Sequence, residues 1–348
     1  MEPKEKQIIP GLVSVIMTNY NTPEEYLRQA IDSILSQSYS NFEFIIVDDC
    51  STDNSLSVIE SYEDRRIQIL KNSQNIGLTK SLNKALAICK GEFIARMDSD
   101  DISEPERFEK QVQYLKDHSD VVVCGTWAKL FDDWQKTHTN KYVRREIPSR
   151  EEYSIYQLFS NDPNLVHPSA MFSRRLMLQY HIKYDERYIF AQDYRMWISC
   201  NQYAKCSIVP DVLLNYRVHD KAISSSKRDI QEDCVFRIIQ EQLDKLHLTL
   251  DDDLRPYHFQ LLTSRKPYDT KIKKWMKTMI DANKRFNVYD QRLLKKLLLD
   301  KWAEICYFGL TSQDSIKGKI AVIFSLPLSR YIKMIQIRNQ RKKKSEGQ

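Results

Sequence analysis

The sequence predicts an α/β fold: a mostly parallel sheet flanked by helices, followed by a helical C-terminal extension. Three observations lead there. Short β-branched apolar runs alternate with amphipathic stretches of ten or more residues, the pattern of βαβ units. Acidic residues crowd the ends of the second and fourth of those runs. Beyond about Asp233 the strand pattern gives way to helical, lysine-rich sequence.

Taken in order, "VSVIMT" (Val13–Thr18) is the first strand. In "NTPEEYLRQAIDSILSQ" Thr22 is the expected N-cap, with Pro23 at the first helical position and Glu25 closing a capping box. Leu27, Ile31, Ile34 and Leu35 then recur at helical spacing. "FEFIIVDD" is a second buried strand, Leu56–Tyr62 a short helix and Ile67–Leu70 a third strand. Leu78–Ile88 is a helix with Leu82, Ala85 and Leu86 on one side, and "FIARM" is the fourth strand. The next helix carries an expected capping box at Ser103 and Glu106, and "DVVVCGTW" is a fifth strand. Val212–Val218 reads as a later strand, and "VFRIIQEQLDKL" and "QRLLKKLLLDKWAEI" as helices. The domain boundary is placed between 232 and 233: residues 1–232 form the α/β domain and 233–348 a helical basic region.

Bulk properties narrow the function. The 42% hydrophobic and 29% charged shares are those of a soluble globular chain. Seven cysteines without CxxC spacing argue for a reducing compartment and against a disulfide frame or structural zinc. The N-terminus lacks a signal-peptide apolar region, and no run approaches a spanning helix. From Leu261 to Gln348 there are 21 Lys/Arg and 7 Asp/Glu, a net of +14, which leaves 32 basic and 40 acidic residues, a net of −8, before it. An acidic body with a basic tail suggests a cation-assisted site and a surface for an anionic partner.

Ligands of parallel sheets bind beyond the carboxyl ends of the strands. Asp48 and Asp49 sit there after the second strand, and Asp98, Asp100 and Asp101 after the fourth. Carboxylates about 5 Å apart repel by roughly 3 kcal/mol per pair at an effective dielectric of about 20. A divalent cation would relieve that crowding. The triplet Asp98-Ser99-Asp100 is a DxD, two carboxylates able to hold a hard cation while leaving positions open for a diphosphate. There is no GxGxxG or GxxxxGK[ST], and only seven glycines, so a glycine-cradled diphosphate is not expected.

"VSVIMTNYNTPEEYLRQAIDSILSQSYSNFEFIIVDDCSTDNS", "NIGLTKSLNKAL" and "GEFIARMDSDDISEPERFEKQV" together resemble the inverting family-two glycosyltransferases of the Rossmann-like GT-A fold. The likeness runs from about residue 11 to 220 and is closest to bacterial enzymes of O-antigen, capsule or exopolysaccharide synthesis. It implies that Thr18, Asn19 and Tyr20 line a nucleotide pocket and that Asp49 accepts the uracil ring N–H. Asp48 would support Asp49 or serve the turn. Lys80 would face the nucleotide-sugar or be a solvated helix-start lysine. Asp98, with Ser99 beside it, would face the sugar and ribose. Asp100 would be the main ligand of Mn²⁺ or Mg²⁺, joined by Asp98, and His219 would approach the metal or diphosphate. Asp101 would support the following loop. "AQDYRMWIS" matches the segment carrying the catalytic base, which assigns that role to Asp193, with a helix N-cap as the structural alternative. The acid that usually precedes the base is Gln192 here. His167 would shape the acceptor side, and Trp197 is core or a sugar platform.

The resemblance thus implies metal-dependent inverting transfer from a nucleoside-diphosphate donor, UDP-hexose or UDP-N-acetylhexosamine, to a lipid-linked or polysaccharide acceptor. A non-catalytic nucleotide-sugar-binding scaffold would keep the fold and turn over no donor. A sugar nucleotidyltransferase would release pyrophosphate and usually carry a glycine-rich basic loop near the N-terminus, which is missing. Lys271, Lys273, Lys274, Lys277, Lys295, Lys296 and Arg341–Lys344 interleave with Trp275, Met276, Leu294, Leu297, Phe324 and Ile335. That suits a segment lying on an anionic membrane surface. No nucleic-acid-binding module is present. The expected location is cytoplasmic, peripheral to the inner face of the cytoplasmic membrane.

Overall fold

A computed structural model of the chain describes residues 8–131, 142–144, 146–159, 165–219, 228–263 and 270–312. The chain divides into two compact units, Met1–Arg150 with Pro163–Cys234, and Glu151–Asp162 with Val235–Gln348.

Among the described residues, the first unit is built on a nine-stranded sheet. β1 (Ile9–Asn19), β2 (Phe42–Asp48), β3 (Ile67–Lys71) and β4 (Gly91–Asp98) pair in the order β3-β2-β1-β4, all parallel. The helices α1 (Glu24–Leu35), α2 (Ser55–Glu60) and α3 (Leu78–Ile88) make the crossovers. The middle of β1 and β2 is fully buried because helices cover both faces, which is why these strands read as unbroken apolar runs. After β5 (Ile102–Ser103) and α4 (Arg107–Asp117), the sheet turns mixed. β6 (Val121–Phe131) and β4 are joined through β8 (Met171–Ser173), antiparallel to both, and α6 (Arg174–Gln179) and α7 (Gln192–Tyr203) follow β8. β9 (Lys205–Arg217) runs parallel to β6, β5 pairs antiparallel with β9, and β7 (Tyr142–Val143) with β6. Three-residue β8 carries too little pattern to be read as a strand.

Both expected capping boxes are absent. α1 starts at Glu24 after Pro23 with no side-chain cap, and the Thr22 hydroxyl instead meets Ser99 at 2.7 Å. α4 likewise lacks a side-chain cap; Ser103 lies in β5, where its Oγ accepts from Gln37 Nε2 at 3.1 Å. In both places a tertiary partner has taken a hydroxyl suited to a local N–H.

Arg107, fully buried, bolts β4 to the segment before β8. Its Nη2 donates to the Arg96 carbonyl at 2.8 Å and its Nε to Gln111 at 3.0 Å, while Gln111 donates to the Cys124 and Ser169 carbonyls. With no carboxylate partner among these contacts, burial pulls the guanidinium down to about 9.

The second unit is helical, formed by α5 (Arg150–Phe159), α8 (Arg228–Asp244), α9 (Arg255–Thr263), α10 (Thr270–Phe286) and α11 (Gln291–Ser312), with α5 and α8 beginning in the first. Trp275, Met276, Leu294 and Leu297 are buried, so the residues expected to face a membrane are core. The lysines between them stay exposed. Phe324, Ile335 and Arg341–Lys344 lie outside the described residues. No helix among the described residues is long and apolar enough to cross a membrane.

His258 sits in this core at 0% exposure, with Nε2 2.9 Å from the Leu158 carbonyl and Nδ1 accepting from Trp275 Nε1 at 3.0 Å. Those partners require the neutral ring protonated on Nε2, and burial lowers its pKa to about 4. The neutral form is favoured by folding, so its contribution is complete above the ordinary value near 6.5 and is lost as pH falls toward 4. Unfolding by denaturant at pH 7.5 and 4.5 should show a loss of up to about 3 kcal/mol. His258→Phe, which cannot titrate, should flatten that slope; an unchanged slope would reject this role.

Candidate active site

The sheet register assembles the site. Thr18 pairs with Val47 on one side and Asp98 on the other, and Asn19 pairs with Asp48, so the carboxyl ends of β1, β2 and β4 lie level. Tyr20, just beyond, is 50% exposed. Asp48 is built into the turn: it accepts from Asn19 Nδ2 at 2.9 Å, Ser51 N at 3.0 Å and Ser51 Oγ at 2.5 Å. Of the two roles expected for Asp48, its contacts are those of the turn.

Asp49, 3% exposed, is a strap. Its Oδ1 accepts from Asn72 Nδ2 at 2.7 Å and Ile76 N at 2.9 Å, and its Oδ2 accepts from Gly77 N at 2.8 Å. Three of roughly four lone-pair positions are thereby used, leaving one on Oδ2. Gly77 has φ +86°, a conformation that a residue with a Cβ adopts only under strain, and it opens α3. Lys80 is exposed in the first turn of α3; Lys84 is the lysine tied into this network, donating to Asn72 Oδ1 at 2.7 Å.

At the end of β4, carboxylate oxygens of Asp98, Asp100 and Asp101 lie within 4.8 Å of one another. Burial raises the Asp98 carboxyl; Arg96 opposes that and Asp100 adds to it. Asp101 is raised well above the ordinary range by burial first and then by its two acidic neighbours. Its Oδ1 accepts the Arg217 N–H at 2.8 Å, while Oδ2 is buried without a partner among the described residues. An all-oxygen donor set, crowded and short of positive charge, fits Mg²⁺ or Mn²⁺. His219 stands beside it with Nε2 2.9 Å from Asp100 Oδ2. Asp101 therefore both joins the acid cluster and braces β9.

Arg96, 1% exposed in β4, is ion-paired to Asp98, and its Nε and Nη1 have no partner among the described residues. A charged residue inside "FIARMD" was a legible sign of a buried counter-charge, and reading the segment only as an apolar strand passed over it.

Asp193 lies in the first turn of α7 (Gln192–Tyr203). The N-cap position is Ala191, so the capping alternative for Asp193 is not realised; its Oδ1 accepts Tyr194 N–H at 2.8 Å. Burial raises its pKa, the Tyr194 N–H and Arg96 pull it down, and Asp98 pushes it up. Neighbouring Gln192 is buried, and its Oε1 has no partner among the described residues. Asn83 of α3 holds the approach to α7 by exchanging bonds with the Tyr184 backbone at 2.9 and 3.1 Å. His167 is core, its Nε2 2.8 Å from Tyr184 Oη, and burial keeps its pKa well below 6.5. Trp197, fully buried, stacks on Phe172 with ring centroids 6.0 Å apart. It is core rather than a sugar platform.

A mixed sheet with a parallel N-terminal half and an acidic loop at the end of its fourth strand is the arrangement that the resemblance to GT-A glycosyltransferases implies. The model of the family described as "Glycosyl transferase family 2" matches residues 14–180. An uncharacterized glycosyltransferase of Methanocaldococcus jannaschii is 37% identical over 217 residues, 60% of this chain and 72% of that one. The O-antigen biosynthesis glycosyltransferase WbnJ of Escherichia coli is 31% identical over 252 residues, 69% of this chain and 92% of that one. The structure of S. aureus TarS residues 1–349 in complex with UDP-GlcNAc superposes with a TM-score of 0.55 at 20% identity, covering 89% of this chain and 90% of that one. The chain belongs to glycosyl transferase family 2.

Proposed function

We propose that the protein is a metal-assisted, inverting glycosyltransferase. It moves a hexose or N-acetylhexosamine from a UDP-sugar to a lipid-linked or polysaccharide acceptor of a bacterial surface glycan. The observation that carries this is the acid cluster of Asp98, Asp100 and Asp101 at the strand end level with Thr18 and Asn19. The UDP-GlcNAc complex of TarS and the O-antigen role in the name of WbnJ support the donor and acceptor classes.

In this reading the uracil ring N–H donates to the open position on Asp49 Oδ2, beside Thr18, Asn19 and Tyr20. Lys80, exposed at the start of α3, faces the donor. Asp98, steadied by Arg96, and neighbouring Ser99 orient the sugar and ribose. Asp100, with Asp98 and His219, holds Mn²⁺ or Mg²⁺, which when bound supplies Lewis-acid stabilisation of the departing diphosphate. Asp193 takes the proton of the acceptor hydroxyl. That oxygen bonds to the anomeric carbon as the carbon–oxygen bond to the diphosphate breaks, so one displacement inverts the centre and a UDP-α-sugar gives a β-linkage. Calorimetric titration with UDP, GDP and dTDP, with and without Mn²⁺, tests the reading. Weak metal-free UDP binding that the metal tightens, with the tightening dependent on Asp100, is expected, and no metal-linked binding of any of the three overturns it.

Peripheral membrane association belongs to the same proposal and, with Trp275, Met276, Leu294 and Leu297 in the core, it rests on charge. Lys273, Lys274, Lys277, Lys284 and Arg285 are exposed on α10, and each charge near an anionic surface contributes about 1 kcal/mol. Vesicles containing phosphatidylglycerol should bind the full chain at low salt, release it at high salt, and bind a chain truncated after Lys317 more weakly. Salt-independent binding would reject the electrostatic account.

A further inference from the structure

Arg217 ends β9 and is 3% exposed, yet its contacts converge on the acidic loop rather than on the core alone. Its Nε donates to the Asp100 carbonyl at 2.6 Å, its backbone N–H to Asp101 Oδ1 at 2.8 Å, and its Nη2 to Gln29 Oε1 at 2.5 Å. The guanidinium carbon lies 4.0 Å from the centroid of the Tyr26 ring and 4.4 Å from that of Phe131. Two residues further on, His219 meets the Asp100 carboxylate. Asp100 is therefore gripped twice by one short stretch of chain, at its carbonyl by Arg217 and at its carboxylate by His219.

We infer that Arg217 is the positioning residue of the acidic loop, fixing the backbone of Asp100 so that its carboxylate is presented to a divalent cation. The planar fork explains why arginine stands here. One guanidinium donates along two directions while stacking on aromatic rings, which a lysine ammonium cannot do. Tyr26 and Gln29, at i and i+3 of α1, are the outer half of the same clamp. The inference rests on the metal reading above.

The test is Mn²⁺ binding to the full-length protein by electron paramagnetic resonance, with metal-free UDP binding and metal-free melting measured alongside. Arg217→Lys should weaken Mn²⁺ about tenfold and Gln29→Leu about threefold, the scale of losing one charge-assisted hydrogen bond or part of its support. Metal-free UDP binding should stay unchanged, because Asp49 and its strap are untouched; a general loosening of the fold would weaken both. Gln29 is only partly buried, so Gln29→Leu keeps the question open to test if Arg217→Lys does not fold. Wild-type Mn²⁺ affinity in Gln29→Leu and in any folded Arg217→Lys, with the affinity lost in Asp100→Ala, overturns the inference and leaves the donor site standing. No Mn²⁺ binding by the wild-type protein overturns the metal reading itself.

Discussion

Asp193→Asn is expected to cut sugar transfer by about 10²- to 10⁴-fold, the usual contribution of a general base. The amide keeps the shape of the carboxylate and loses its proton affinity. Its fold cost is small, because the backbone hydrogen bond from Tyr194 can be accepted by the amide oxygen. Nucleotide affinity should stay within about twofold, which marks an interaction made at the chemical step rather than on binding. Since burial raises the Asp193 carboxyl, the acid limb of the wild-type rate profile should lie above the ordinary aspartate range. Rate should fall as pH drops through it, because the protonated acid cannot accept the acceptor's proton. Retained turnover in Asp193→Asn, measured as nucleoside diphosphate released in the presence of acceptor, would remove Asp193 from the mechanism.

The second large effect is on stability. Asp49→Ala deletes the acceptor for three donors at once, Asn72 Nδ2, Ile76 N and Gly77 N. Buried donors stripped of a charged partner cost about 1–3 kcal/mol each, partly recovered by water, so a loss of about 3–5 kcal/mol is expected. Denaturant unfolding measures it directly, and a wild-type midpoint would show that the strap carries no load. Asp49→Asn separates the two jobs of this residue. One oxygen survives to hold Asn72 and Ile76, so much of the stability should return. The amide offers N–H toward Gly77 and toward the uracil ring alike, so UDP affinity should stay low.

Much of the fold was legible because its informative half is made of local patterns. β1, β2 and β4 are buried on both faces and read as apolar runs, while α1 and α3 show clear helical spacing. The acids stood out because aspartates are costly at the end of a core strand. What escaped was decided by tertiary partners. Thr22 and Ser103 read as helix caps, but the helices start later, after Pro23 and Glu106, and the two hydroxyls meet Ser99 and Gln37 instead. Arg217 looks like any arginine near a strand end, and its importance comes from Asp100, Asp101 and Gln29, all distant in sequence. The lysine-flanked Trp275 and Leu294 show the limit of periodicity. An amphipathic helix announces that its apolar face is covered, whereas the cover itself, lipid or protein, is not written in the period.

Thr22, Tyr26, Gln29, Ser33 and Gln37 form a polar stripe at helical spacing along and just beyond α1. They reach Ser99, Arg217, Arg217 again, Ser103 and the Glu104 carbonyl in turn. For recombination among relatives, this makes residues 22–37, 99–104 and 217 a single inheritance block, although nearly two hundred positions separate its ends. A chimera joined between Gln37 and Asp98 splits the block and should need compensating changes to recover metal-linked donor binding. One joined between Glu104 and Phe131, with Arg217 restored, carries the block intact and is the better breakpoint for exchanging the segments that follow.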